Sequence, residues 1–320
     1  MEEVDARPLV VLTPVYEDLE ASARLFRELR ATLGDRAYVV AVDDGSVRLP
    51  LDAANISAAG LDGAVIRLRR NVGHQRAIAV GLNYVVARLG DAGRIVVMDS
   101  DGEDLPASVP QLLAPLESPD VDVAVAHRRS RVETLRFRLF YGVYKFLFYL
   151  LTGRPISFGN FMSLKPAAAK RIVAMQELGI HVAACVLLSK LRLAVCPLDR
   201  GPRYVGQSQM NFVSLVLHGF RALMVFAEDV LVRVGIACAV VAALSLIGIA
   251  GAIALKVLGY ATPGWFSVAL GILVLVLLQT GALTLMSLMM TGVVRGGSVA
   301  VAPWEQFVES VTDARALRYP

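Results

Sequence analysis

A chain of 320 residues has room for one α/β domain of ordinary size and an appended element. Apolar residues make up 56% of it and the mean hydropathy is +0.57, which excludes a wholly soluble enzyme; the excess lies in the last third. A net charge of +4 suits anionic lipid headgroups at least as well as nucleic acid, no nucleic-acid module is visible, and Cys185, Cys196 and Cys238 lack metal-site spacing and fit a reducing compartment.

In chain order, Met1–Asp5 is acidic and the apolar run Leu9–Leu12 is short, so no cleavable leader is expected. Pro8–Leu12 reads as a first strand and Asp18–Leu33 as a helix with Leu19, Leu25, Phe26 and Leu29 on its apolar side. Strands follow over Tyr38–Val42, Ala64–Leu68, Arg94–Met98 and Val121–Ala126, with helices over His74–Leu89 and Pro106–Leu116. This alternation predicts a doubly wound, mostly parallel α/β sheet. From about residue 133 to 152 an aromatic-rich segment carries Arg136, Arg138 and Lys145, and reads either as an interfacial amphipathic helix or as a helix packed on the sheet. A second such segment, Phe212–Phe226 within residues 209–228, has His218 and Arg221 on its polar side.

Val234–Val257 and Phe266–Met290 each exceed the roughly 20 apolar residues that cross a bilayer, and Leu258–Trp265 between them supplies a turn with Gly, Pro and two aromatics. Residues 229–291 are therefore expected to form a transmembrane hairpin. Arg221 and Arg233 before it and Arg295 after it outweigh Lys256 near the turn, which predicts both termini, and the catalytic part, on the cytoplasmic side. Residues 1–208 would form the catalytic domain and 292–320 a cytoplasmic tail.

Ligands of open α/β sheets bind beyond the carboxyl ends of the strands, and several motifs fall there. Ile95-Val96-Val97-Met98-Asp99-Ser100-Asp101 ends a buried strand with two carboxylates one residue apart, hard oxygen donors suited to Mg²⁺ or Mn²⁺ and thereby to a diphosphate. Glu103 and Asp104 follow at once. Thr13-Pro14-Val15-Tyr16-Glu17-Asp18 and Asp43-Asp44-Gly45-Ser46 leave the same edge; Tyr16 could stack on a base and Asp43 accept a hydrogen bond from a base N–H or a ribose hydroxyl. Arg69-Arg70-Asn71-Val72-Gly73-His74-Gln75, opening a helix, offers cations and amides to phosphate.

Together Pro14-Val15-Tyr16-Glu17, Val42-Asp43-Asp44-Gly45-Ser46, Arg70-Asn71-Val72-Gly73 and Met98-Asp99-Ser100-Asp101 resemble, in order and spacing, the motifs of family 2 glycosyltransferases with the GT-A fold. With the hairpin and Arg203-Tyr204-Val205-Gly206-Gln207-Ser208, the chain is similar to polyprenyl-phosphate glycosyltransferases of the dolichyl-phosphate-mannose-synthase-like group. The resemblance implies that Pro14, Tyr16, Glu17 and Asp43, with Asp44, Ser46, Asn71 and Gly73 in the same motifs, serve the nucleotide-sugar donor. It also implies that Asp99 and Asp101 hold the metal and donor diphosphate, with Glu103 as third ligand. Arg128 and Arg131 would grip the acceptor phosphate, and Arg203 and Ser208 would close over the donor. Where many relatives carry an acid, Phe158-Gly159-Asn160-Phe161-Met162 places Asn160, which cannot act as a general base. No Arg-Trp pair of the processive type occurs, so single, inverting addition to polyprenyl phosphate at the membrane is expected, with self-association left open. A second reading keeps the fold and takes a lipid or glycan hydroxyl, with Glu103, Asp104 or His181 as base; a third is an inactive membrane scaffold.

Overall fold

The computed structural model describes residues 9–90, 93–128, 135–155, 158–206, 212–260, 262, 264–296 and 303–315. Two compact units divide the chain: Met1–Gly142, Ile156–Val225 and Ala300–Pro320 form one, Val143–Pro155 and Phe226–Val299 the other.

The first unit contains β1 (Leu9–Val15), α1 (Leu19–Leu33), β2 (Ala37–Asp43), α2 (Ala53–Ala58), β3 (Asp62–Leu68), α3 (His74–Arg88), β4 (Arg94–Val97), α4 (Val109–Leu113, flanked by 3₁₀ turns) and β5 (Val123–Arg128). After α5 (Leu135–Thr152), which belongs to the second unit from Val143 on, come β6 (Met162–Leu164), α6 (Pro166–Val173), α7 (Val182–Leu188), β7 (Leu193–Leu198) and α8 (Phe212–Val225). The strands form one sheet in the order β7-β5-β6-β4-β1-β2-β3-β8, where β8 is Val308–Ala314. Strands β4-β1-β2-β3 are parallel, β6 runs antiparallel between β4 and β5, and β8 runs antiparallel along β3.

Strands covered on both faces read as continuous apolar runs, and β1 shows why. Val10 and Leu12 enter a core with Val40, Ile66, Ile78 and Leu82, whereas Val11 and Val15 enter the opposite core with Phe26, Leu29, Val39 and Ile56. Helix α3 lies close enough to the sheet that a Cβ on Gly81 would stand 2.3 Å from Leu12 Cδ1 and 2.8 Å from Val42 Cγ2.

The expected mostly parallel sheet is present, with differences at short or edge elements. Helix α2 and the strands β6 and β7 were not anticipated; β6 has three residues, too few for a periodic signal. Residues 292–320 were expected as a tail, but β8 lies within them and extends the sheet. Its sequence, Val-Glu-Ser-Val-Thr-Asp-Ala, is mostly exposed and polar because an edge strand need not bury both faces. It is held by the β3 ladder, by the Arg69 N–H donating to the Phe307 carbonyl at 2.9 Å, and by Trp304 packed edge-on against Tyr84.

The second unit contains α9 (Ala227–Val257) and α10 (Trp265–Gly296), packed on each other and both long and apolar enough to cross a membrane, with mean hydropathies of 2.5 and 2.3 over an 18-residue stretch within Ala227–Val257 and within Trp265–Val293. Small residues set their approach: a Cβ on Gly248 would meet Leu273 at 3.1 Å, and one on Gly235 would meet Ser287 Cβ at 3.5 Å. Phe148 of α5 is fully buried edge-on against Phe226, while Phe146, Leu147, Tyr149 and Leu150 are exposed.

Replacing Gly81 tests the α3–sheet approach. Gly81→Val should destabilise the protein by about 1–3 kcal/mol and Gly81→Ala by less, through overpacking against Leu12 and Val42. Thermal unfolding in detergent checks this, and an unchanged midpoint for both variants would contradict it.

Candidate functional site

The carboxyl edge of the parallel strands carries irregular loops whose amides need acceptors, and carboxylates supply them. Glu17, with φ of 50°, accepts the N–H groups of Val47, Arg48 and Leu49 at 2.8, 3.1 and 3.0 Å, and its own N–H donates to Ser46 Oγ at 2.8 Å. These backbone donors hold its carboxyl below the usual range. Asp43 is fully buried and accepts from Ser46 N and Leu51 N. Asp44 accepts from Val72 N at 2.7 Å and Gly73 N at 3.0 Å; burial nevertheless raises its carboxyl above the ordinary value. Gly45 (φ 72°) permits this joining of loops, since a Cβ there would lie 2.4 Å from the Arg70 carbonyl carbon. Pro14 is buried at the end of β1, Asn71 is exposed, and Tyr16, 51% exposed, is the aromatic offered to a ligand at this edge. The oxygens of Glu17 and Asp43, expected at the nucleoside, hold loop amides.

Beyond β4, Asp104 accepts the Asp99 N–H at 2.9 Å and Asp101 Oδ1 accepts that of Glu103 at 2.9 Å, folding the acidic loop on itself. Gly102 (φ 89°) lies under the Tyr204 ring, 2.6 Å from where a Cβ would stand. Tyr204 donates its hydroxyl to Glu28, its ring lies 4.3 Å from the Arg24 guanidinium carbon, and its N–H donates to the Asp101 carbonyl at 2.8 Å. The same segment brings Arg203 Nη2 to 2.7 Å from Asp101 Oδ2 and sets Arg200 against Glu103. Burial and then Asp99 raise the Asp101 carboxyl, against the pull of Arg203, Arg200 and His74.

Asp99 Oδ1 lies 3.1 Å from His74 Nε2, which is also 3.1 Å from Asn160 Nδ2. Burial opposes a charge on His74, but Asp99, Asp101 and Asp104 together raise its pKa. Asp99, Glu103, Asn160, Asp199 and Arg200 line one cleft. Asp99 and Asp101 supply the hard oxygens and concentrated negative charge that a divalent cation needs, so the pair fits Mg²⁺ or Mn²⁺. Glu103 does not complete a three-carboxylate cluster: Arg200 and Arg203 hold it, and no group of three acidic, histidine or cysteine side chains among the described residues is disposed to hold a metal.

Sequence reasoning did not single out Arg200, and named His74 and Tyr204 only within their segments; Arg200 and Tyr204 lie about a hundred residues from the loop they contact. The histidine offered as a candidate base, His181, caps α7: its Nδ1 accepts the Ala184 N–H at 3.2 Å and its Nε2 lies 3.1 Å from His218 Nε2. Nδ1 accepts, so the His181 proton sits on Nε2 and is donated to His218. Arg128 ends β5 opposite Leu198 in the sheet register. Arg131 and Ser208 lie outside the described residues.

Residues 10–162 match the family described as Glycosyl transferase family 2. Dodecaprenyl-phosphate galacturonate synthase of Rhizobium johnstonii is 26% identical over 140 residues, 42% of this chain and 40% of that protein. Undecaprenyl-phosphate 4-deoxy-4-formamido-L-arabinose transferase of Shewanella sediminis is 30% identical over 131 residues, 39% of this chain and 38% of that protein. The match spans about two fifths of the length of these curated relatives. A crystal structure of glucosyl-3-phosphoglycerate synthase from Mycobacterium tuberculosis with Mn²⁺, uridine diphosphate and phosphoglyceric acid aligns with a TM-score of 0.48 at 16% identity, over 70% of this chain and 78% of that one.

The pairing of buried His181 with half-buried His218 gives acid sensitivity. Burial first, then His218 and Arg221, lower His181 to about 3; burial, His74 and Arg221 lower His218, with Asp99 opposing. The unfolded chain therefore binds more protons below its ordinary histidine pKa, and stability falls as pH drops from about 6.5 towards 3, by up to about 1.4 kcal/mol per pH unit for each proton. In His181→Asn/His218→Gln, which keeps the cap and an acceptor, this slope should flatten by more than half. Melting temperatures between pH 7 and 4.5 measure it, and an unchanged slope would assign the sensitivity elsewhere.

Proposed function

From the glycosyl transferase family 2 domain that this chain carries, we propose that the protein transfers a single sugar from a nucleotide sugar to a polyprenyl phosphate at the cytoplasmic face of a membrane. The observation that carries the reading is the cluster at the carboxyl end of β4, where Arg203 meets Asp101, Arg200 meets Glu103 and Asp99 lines the same cleft, anionic and cationic groups that together suit a metal–diphosphate. The names of both curated relatives support a polyprenyl-phosphate acceptor, and two apolar helices beside the exposed aromatic face of α5 support a membrane location.

Asp99 and Asp101 would hold Mg²⁺ or Mn²⁺, whose chemistry there is to stabilise the charge of the departing diphosphate. Tyr16 offers a stacking face to the base, while the loops fixed by Glu17, Asp43, Asp44 and Ser46, with Asn71 and Gly73, shape the donor pocket. Arg203, next to Asp101, is within reach of a donor phosphate bound at that carboxylate, and Ser208 would follow in the same closing segment. Arg128 and Arg131 would bind the acceptor phosphate. A phosphate monoester, with a second pKa near ~6, is already an anionic nucleophile at neutral pH, so its oxygen can attack the anomeric carbon directly as the diphosphate leaves, with inversion. Asn160 suits that reaction because no proton has to be accepted. The hydroxyl-acceptor reading is weaker: Glu103 is ion-paired, Asp104 holds the Asp99 amide, and His181 caps a helix. Arg221 and Arg233 before the hairpin and Arg295 after it support cytoplasmic ends, as does the return of the chain from α10 to β8 in the catalytic sheet.

Purified protein incubated with Mn²⁺ or Mg²⁺, undecaprenyl phosphate and a panel of UDP- and GDP-sugars should yield a glycosyl-phosphate lipid by mass spectrometry. Nucleotide-sugar binding without that product across the panel would refute the acceptor. Asp101→Asn should lower turnover by on the order of 10²–10³-fold with near-normal expression, and undiminished turnover would reject the metal assignment. Arg128→Ala should raise the KM for lipid phosphate about tenfold while leaving that for the donor within twofold; equal losses would count against the acceptor role.

A further inference from the structure

Several hydroxyl side chains in the two long helices are satisfied by carbonyls of their own helix. The hydroxyls of Thr280, Thr284 and Thr291 donate to carbonyls one turn earlier at 2.7, 2.8 and 2.8 Å, and that of Ser245 donates to Val241 O at 2.9 Å. Ser287, 7% exposed, lies in the α9 contact next to Gly235. Gln279 stands midway along the apolar stretch Trp265–Val293, is exposed, and has no hydrogen-bond partner among the described residues. With the spans in a bilayer, its carboxamide lies at the hydrocarbon midplane, where neither lipid tails nor a polyprenyl chain offers a donor or an acceptor.

The surroundings of Gln279 have a regular pattern. Ile272, Leu275, Gln279, Ala282, Met286 and Met289 are all exposed and follow one another at intervals of three and four residues. That is the a/d spacing of a helix–helix seam, with Gln279 at an a position, where a polar residue specifies register and partner number. Residues that meet α9, among them Leu273 and Ser287, lie on the other side of α10.

We propose that this face of α10 is an interface with a second copy of the chain, the two helices packing so that the Gln279 carboxamides hydrogen-bond to each other. A carboxamide is its own complement, because it carries a donor and an acceptor, so a two-fold arrangement satisfies both copies with one residue type. Small Ala282, one turn from Gln279, lets the helices approach. The inference rests on the membrane location proposed above and is independent of the reaction.

The full chain, labelled with a fluorophore and reconstituted in phosphatidylcholine–phosphatidylglycerol vesicles, should show single-molecule photobleaching in two steps at high protein density. Gln279→Leu should shift the midpoint density for association upward by at least roughly threefold, and Gln279→Asn should keep most of it. In a Cys238→Ser background, Ala282→Cys should cross-link to a dimer on oxidation, whereas Thr284→Cys, on the side towards α9, should not. Protein that floats with the vesicles but bleaches in one step at every density overturns the interface and leaves the membrane reading intact. Association equally strong in Gln279→Leu, or equal cross-linking at both cysteines, also overturns it. Failure to float with the vesicles overturns the membrane reading, and the interface with it.

Discussion

Carboxylate-to-amide hydrogen bonds at the carboxyl edge of the sheet hold the site together. Where strands end, the backbone leaves its ladders and its N–H groups need new acceptors. Glu17, Asp43, Asp44 and Asp104 provide them, each reaching an amide in its own loop or a neighbouring one. The acidity of this edge therefore has two uses. Glu17, Asp43, Asp44 and Asp104 hold loop amides, Asp101 holds one through Oδ1 while its Oδ2 meets Arg203, and Asp99 and Glu103 face cations.

Cations answer that charge from two directions. His74 approaches Asp99 from the start of α3, while Arg200 and Arg203 approach from the segment after β7, pinned by Tyr204 over Gly102. Without them the acidic loop would carry an uncompensated, partly buried charge.

The parallel core was legible because strands buried on both faces, such as Leu9–Val15 and Ala37–Asp43, are unbroken apolar runs followed by polar loops. Met162–Leu164 and Val308–Ala314 escaped notice because three residues carry no period and an edge strand keeps its polar side chains. At the site, Asp99 and Asp101 were legible because adjacency in sequence guarantees adjacency in space. The amide contacts of Glu17 and Asp43 were not, since a carboxylate reads the same whatever donor it meets. Tyr204 on Gly102 and His218 on His181 are contacts across 102 and 37 positions, which local pattern cannot reveal.

Strand β8 also ties the order of synthesis to the completion of the fold. Strand β3 ends at Leu68, and the strand that covers its outer edge begins at Val308, beyond both apolar helices. A nascent chain thus carries an open sheet edge throughout the time its hairpin is being made, a period in which unpaired strand amides can capture other chains. Closing that edge requires the ribosome to have passed the helices. The finished sheet is thereby a record that the hairpin has been synthesised, and a chain released early lacks the strand that seals it.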